Sequence, residues 1–129
     1  MHLKLCVSDS ALKCLLDSGA SNLFISQEIV DQFGLNTYNA ESLNVCLANG
    51  STVRTAAVAV VPVRFAGGAE QLLECRVLPM LHLPIILGMD WLREWNPSVD
   101  WMNQRVEWMQ NGRVVFVQAS SAPKKSCSV

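Results

Sequence analysis

The chain has 129 residues, half of them hydrophobic and 16% charged, with a formal net charge of -1. That length holds one domain with an ordinary core, and the composition is too apolar for disorder over most of the chain. The charge balance gives no electrostatic case for nucleic acid or an anionic membrane as partner, and Arg64, Glu70, Glu74 and Arg76 break up the apolar runs that could otherwise span a bilayer.

The first residues lack the apolar stretch and cleavage site of a signal peptide. Leu3-Lys4-Leu5-Cys6-Val7 alternates as a strand, and Ser8-Asp9-Ser10 supplies a turn. Ala11 to Leu16 returns as a second strand and delivers Asp17 into the small residues Ser18-Gly19-Ala20-Ser21. Gly19 allows backbone angles that other residues resist, and its neighbours leave room for a ligand or another chain. A surface aspartate needs no such setting. Ser26 caps a short helix over Gln27 to Phe33, with Ile29, Val30 and Phe33 at helical spacing and Gly34 ending it.

From Leu43 onward the pattern is β. Leu43 to Leu47 and Thr52 to Arg54 flank Asn49-Gly50, a strong hairpin signal. Val58 to Phe65 contains Pro62, which suits an edge or a bulge. Gly67-Gly68 turns the chain into Glu70 to Leu78, and Leu83 to Leu87 forms a short buried strand that ends on Gly88. Asp90 caps one or two helical turns through Trp91, Leu92 and Trp95, stopped at Asn96-Pro97. Val99 to Met102, Arg105 to Met109 and Arg113 to Val117 read as strands around Asn103-Gln104 and Asn111-Gly112. The four tryptophans read as core and interface packing. Many short strands, abundant turns and two short helices predict an all-β, small closed domain over residues 1–118, with 119–129 as a C-terminal tail or linker.

The five cysteines, Cys6, Cys14, Cys46, Cys75 and Cys127, are odd in number and form no CxxC pair. That argues against a disulfide framework or a structural zinc site and points to a reducing, cytoplasmic setting. With His2 and His82 as the only histidines, neither a His-based metal centre nor a Ser-His-Asp triad can be assembled. No metal and no cofactor is expected. Chemistry then rests on Asp17. An isolated Asp-Ser-Gly is more often a turn or a cap; here an apolar strand precedes it, and a second apolar strand ends in glycine about seventy residues on.

Leu15-Leu16-Asp17-Ser18-Gly19-Ala20-Ser21 and Ile85-Ile86-Leu87-Gly88-Met89-Asp90-Trp91-Leu92 together resemble the retropepsin family of aspartic proteases, the dimeric enzymes of retroviruses and long-terminal-repeat retrotransposons. The variant most similar is that of Ty3/Gypsy-type elements and of genes domesticated from them. The resemblance covers roughly residues 3 to 117. It implies a small closed β-barrel of the acid-protease type with one or two short helices. It also implies that Asp17 is the catalytic carboxylate, that Ser18 bonds across a dimer axis beneath it, and that Gly19 leaves its carbonyl open to substrate. Ala20 and a flap tip at Ala48, Asn49 and Gly50 would meet an extended peptide or polyprotein, taken up as an added strand. Ile86 and Gly88 would pack against the active-site loop. The tip departs from retroviral flaps in holding one glycine, Gly50.

Peptide hydrolysis without a metal or a nucleophilic side chain needs one carboxylate to activate water and another to protonate the carbonyl oxygen. Asp9, Asp31, Asp90 and Asp100 lie in no second Asp-Ser/Thr-Gly turn, so a C2 homodimer has to supply the twin of Asp17. Two carboxylates about 4 Å apart at an effective dielectric near 20 repel by roughly 4 kcal/mol, or about three pH units between their ionisations. This is the established behaviour of aspartic-protease dyads and not a new result. The expectation is an aspartic endopeptidase, active as a homodimer and processing a polyprotein. The alternative is a catalytically silent domesticated domain kept for dimerisation or peptide binding.

Overall fold

Apolar residues at every second position decide which face of the opening hairpin turns inward. The computed structural model describes residues 1–47, 50–79, 81 and 83–120. Ala48 and Asn49 of the expected flap, His82, and the expected tail beyond Ser120 lie outside the described residues. Strand β1 (His2–Val7) buries Leu3, Leu5 and Val7. The chain turns at Ser8 and Asp9, both at positive φ (49° and 69°), the paired left-handed geometry that matches strand twist. Strand β2 (Ser10–Leu16) then pairs along all of β1, from Val7↔Ser10 to His2↔Leu15.

Strand β3 (Phe24–Ser26) leads into helix α1 (Gln27–Phe33). Ser26 Oγ accepts the Glu28 N–H at 3.2 Å, and Gly34 closes the helix at φ 59°, as the capping residues predict. Strands β4 (Asn36–Cys46), β5 (Thr52–Phe65), β6 (Glu70–Leu78) and β7 (Ile85–Leu87) follow. After helix α2 (Met89–Trp95) come β8 (Ser98–Asp100), β9 (Arg105–Gln110) and β10 (Arg113–Ser120).

Six strands close a barrel in the order β1-β2-β7-β3-β6-β5, with β5 returning to β1 through Leu5↔Phe65 and Cys6↔Arg64. The closed β-barrel with two short helices is therefore the fold the chain adopts. Strand β4 extends the wall beyond β5, and β10-β9-β8 extends it beyond β1. The outer edge of β1 is shared, with His2 and Leu3 pairing with β10 while Leu5 and Cys6 pair with β5. Inside, Cys14 and Cys75 pack among Leu3, Val61, Leu73 and Ile85. Burial pushes both thiols up to about 12, so they act as neutral hydrophobes.

The same core runs on from the barrel to the last three strands. Trp91 of α2, Trp108 of β9 and Phe65 of β5 pack at 5.1–5.9 Å between ring centroids. Their polar atoms are satisfied in one chain. Trp91 Nε1 donates to Gln71 Oε1 (2.8 Å) and Gln71 Nε2 to Gln110 Oε1 (3.0 Å), which also accepts from Trp108 Nε1 (3.0 Å).

Several boundaries differ from the sequence reading. Strand β5 is continuous from Thr52, and Pro62 sits inside it. Among the described residues no strand pairs with β5 on that side between Val60, where β4 stops, and Arg64, where β1 begins. The strand expected from Val99 to Met102 stops at Asp100, whose carboxylate accepts from Asn103 N and Nδ2 (3.1 and 2.8 Å) and turns the chain. Helix α2 is capped by Gly88 without a side-chain bond, and Asp90 lies in the first turn. Ala119, expected to begin the tail, is buried in β10 and pairs with Leu3.

Candidate active site

Strand β2 ends at the point where its parallel neighbour β7 also ends. The pairs Cys14↔Ile85, Leu15↔Ile86 and Leu16↔Leu87 carry the two chains side by side to the rim. Two main-chain bonds continue past the ladder: Leu16 N–H reaches Met1 O (2.9 Å) and Asp17 N–H reaches Leu87 O (3.1 Å). Asp17 is thus fixed by backbone on both sides at the mouth of the barrel.

The turn after it folds back on the carboxylate. Gly19 N–H donates to Asp17 Oδ1 at 2.8 Å, and Ala20 N–H donates to Asp17 O at 3.1 Å. A Cβ on residue 19 would stand 3.1 Å from Asp17 Oδ1, tighter than an ordinary contact. Glycine at 19 therefore lets the main chain come close enough to hold that oxygen. Among the described residues Asp17 Oδ2 receives no hydrogen bond. Asp17 is half-buried, Ser18 and Gly19 are exposed, and the Ser18 hydroxyl has no partner among the described residues.

Residues 88–90 clamp the far side of this loop. Met89 N–H donates to Ala20 O (2.7 Å), Asp90 N–H to Ser21 O (3.1 Å), and Asn22 Nδ2 to Asp90 Oδ2 (3.2 Å). A Cβ at Gly88 would fall 2.2 Å from Asn22 O and 2.6 Å from Ala20 O, so only glycine lets the segments touch. Asp17, Ser18, Gly19, Ala20, Ile86 and Gly88 come together in this way. Gly50 stands apart, exposed at φ 89° on the β4–β5 hairpin, and no hydrogen bond joins it to the cluster among the described residues. Asn22 and Asp90 as a pair went unread in the sequence, because nothing local marks two residues 68 positions apart as partners.

One oriented carboxylate with an open oxygen can accept a proton or hold a water, and a second acid beside it could do the complementary step. A family model described as the PEG10/RTL1 protease domain matches residues 13–113. Among solved structures, the chain is similar to the retroviral protease-like domain of Ddi1 from Leishmania major, with 17% identity, a TM-score of 0.67, and coverage of 94% of this chain and 92% of that one. It is also similar to EIAV protease, solved with the inhibitor HBY-793, with 20% identity, a TM-score of 0.53, and coverage of 73% and 86% respectively. Comparison with curated proteins finds no match. At these identities the solved structures speak for the fold alone, and that fold is retropepsin-like.

Proposed function

The chain belongs to the PEG10/RTL1 protease domain family, which is retropepsin-like, and from that premise we propose that it is an aspartic endopeptidase active as a homodimer. The observation that carries this reading is the Asp17 turn. It presents one half-buried carboxylate with an open oxygen, and the sequence contains no second turn of its kind. Two copies related by a two-fold axis bring two such carboxylates together, sharing one proton. The ionised one removes a proton from water as the oxygen attacks the peptide carbonyl carbon, and the protonated one gives its proton to the carbonyl oxygen. Collapse of the tetrahedral species breaks the C–N bond, with a proton delivered to the leaving amine. The exposed Ser18 hydroxyl, which has no partner among the described residues, is free to bond across the axis.

The substrate fits as an extended peptide, part of a polyprotein, lying between the Asp17 turn and the β4–β5 hairpin. Four thiols, Cys6, Cys14, Cys46 and Cys75, are free, in keeping with a reducing cytoplasmic compartment. A second reading, a dimerising or peptide-binding module without turnover, draws on the single glycine at the hairpin tip, Gly50. The test is Asp17→Asn on a mixed peptide pool from acidic to neutral pH. Cleavage should fall by roughly 100- to 10,000-fold, the range associated with loss of a general acid or base. Unchanged cleavage by the variant would sink the endopeptidase reading. A folded wild-type dimer that binds peptide yet never cuts it would favour the silent module.

A further inference from the structure

The β4–β5 hairpin leaves the barrel at a defined place. Pairing of β5 with β6 starts at Val58↔Arg76, so the part of the hairpin before Val58 has only its own two strands as ladder. At that root β4 breaks register: Asn39 opposes Ala57 and Leu43 opposes Thr55, so Ala40, Glu41 and Ser42 face Ala56 alone. A bulge of this kind bends and twists a strand and leaves main-chain groups outside the ladder.

Two side-chain bonds tie this root to the barrel, one for each arm. Thr55 Oγ1 on β5 donates to Val77 O at 2.8 Å, and Arg76 Nη1 on β6 donates to Glu41 O, in the bulge, at 2.6 Å. Arg76 reaches Glu41 by crossing the outer face of β5, and Tyr38 crosses the same face the other way to place its hydroxyl on the Glu74 carboxylate. Val58 lies between them and is 6% exposed, although its side chain alternates with the barrel-core residues Ala59 and Val61. The backbone of Arg76 is tied to the other side of the barrel. Its N–H donates to Leu23 O (2.8 Å), and it pairs with Phe24, on the segment that runs on from the Asp17 loop.

We propose that Arg76 is a positioning residue that sets the angle of the β4–β5 hairpin relative to the Asp17 turn. It braces the bulge with its guanidinium while its main chain holds the strand that follows the turn. This inference rests on the reading of the hairpin as the cover over a bound peptide. A guanidinium suits the role because several donors point outward from one plane, so it can span β5 and still meet a carbonyl at its far edge. Without it Glu41 O turns to water, and the bulge becomes a free hinge for the paired arms, residues 43–46 and 52–55.

The experiment compares wild type, Arg76→Ala and Arg76→Lys by amide hydrogen exchange and peptide kinetics. In Arg76→Ala, exchange over residues 43–46 and 52–55 should speed up by roughly tenfold, while β1, β2 and β7 keep their protection. KM for peptide should rise several-fold with kcat little changed, and Arg76→Lys, which keeps a cationic donor but loses the planar fork, should recover part of both effects. Exchange that stays unchanged over 43–46 and 52–55 in Arg76→Ala overturns the proposal, and so does exchange that rises equally throughout the barrel. The exchange readout needs no turnover. If it responds while the wild type cleaves nothing, the brace stands and the endopeptidase reading falls.

Discussion

A methyl group at position 88 has nowhere to go. Its two nearest neighbours are the carbonyl oxygens of Asn22 and Ala20, main-chain atoms that cannot rotate aside. Gly88→Ala should therefore push the loop after Asp17 off the end of β7 and lengthen the Met89 N–H to Ala20 O bond, now 2.7 Å. Overpacking of this kind costs about 1–3 kcal/mol, so a lower melting temperature is expected. The variant should also lose peptide cleavage beyond what that loss of stability explains. Asp17 and Gly88 were both legible in the sequence, each ending an apolar strand. The partners that hold them were not. Asp90 reads locally as a helix cap, and the fold instead gives its carboxylate to Asn22. A short polar side chain has many possible partners, and which one it meets is decided by distant chain segments.

Elements with a local signal were readable. Helix α1 carries its capping serine, its apolar face and its terminal glycine within nine residues, Ser26 to Gly34. Strand β3 gives no such signal, being three residues long, buried on both faces, and defined by pairing with β6 and β7. The first half of β4 was equally unreadable. Asn36 to Asn39 are all exposed, and their strand state is imposed by β5. Tertiary pairing overrides weak propensity in both cases. Helix α2, which backs the Asp17 loop, is anchored by a bond that the sequence hides, from the Trp91 indole to Gln71. Trp91→Phe keeps most of the packing but leaves Gln71 Oε1 buried without that donor. Stability should fall by about 1–3 kcal/mol, measured by denaturant unfolding. Trp91→Phe combined with Gln71→Leu should recover part of that loss.

At the scale of the molecule, the end that carries Asp17 also carries the most exposed apolar pair. Trp101 and Met102 are 68% and 91% exposed in the turn between β8 and β9. That turn is stiff: Gln104 Nε2 donates to Trp101 O (2.7 Å), and Gln118 Nε2 donates to Asn103 O and Gln104 O, both at 2.9 Å. Asn103, through its side-chain amide and its N–H, also holds the Asp100 carboxyl below its ordinary value. It lies at the Asp17 end because Ala119 N–H bonds Gln104 O, Ala119 pairs with Leu3, and Leu3 pairs with Cys14 on the strand leading to Asp17. Tryptophan and methionine are enriched where proteins meet. In the proposed homodimer this end faces the two-fold axis. Trp101→Ser with Met102→Ser should weaken the dimer by roughly tenfold or more in sedimentation, with little change in the unfolding of the isolated chain.

The shared edge of β1 has a consequence for the order in which the barrel is built during synthesis. Leu5 and Cys6 wait for Phe65 and Arg64, whereas His2 and Leu3 wait for Ala119 and Ser120. At a translation rate of about 5–20 residues per second, the second half of that edge arrives roughly 3–11 seconds after the first. The Met1 carbonyl that holds Leu16 N–H stands next to this late-paired end of β1. Of the six barrel strands, β1 is thus the first to be made and the last to be fully paired, its His2–Leu3 end waiting for β10.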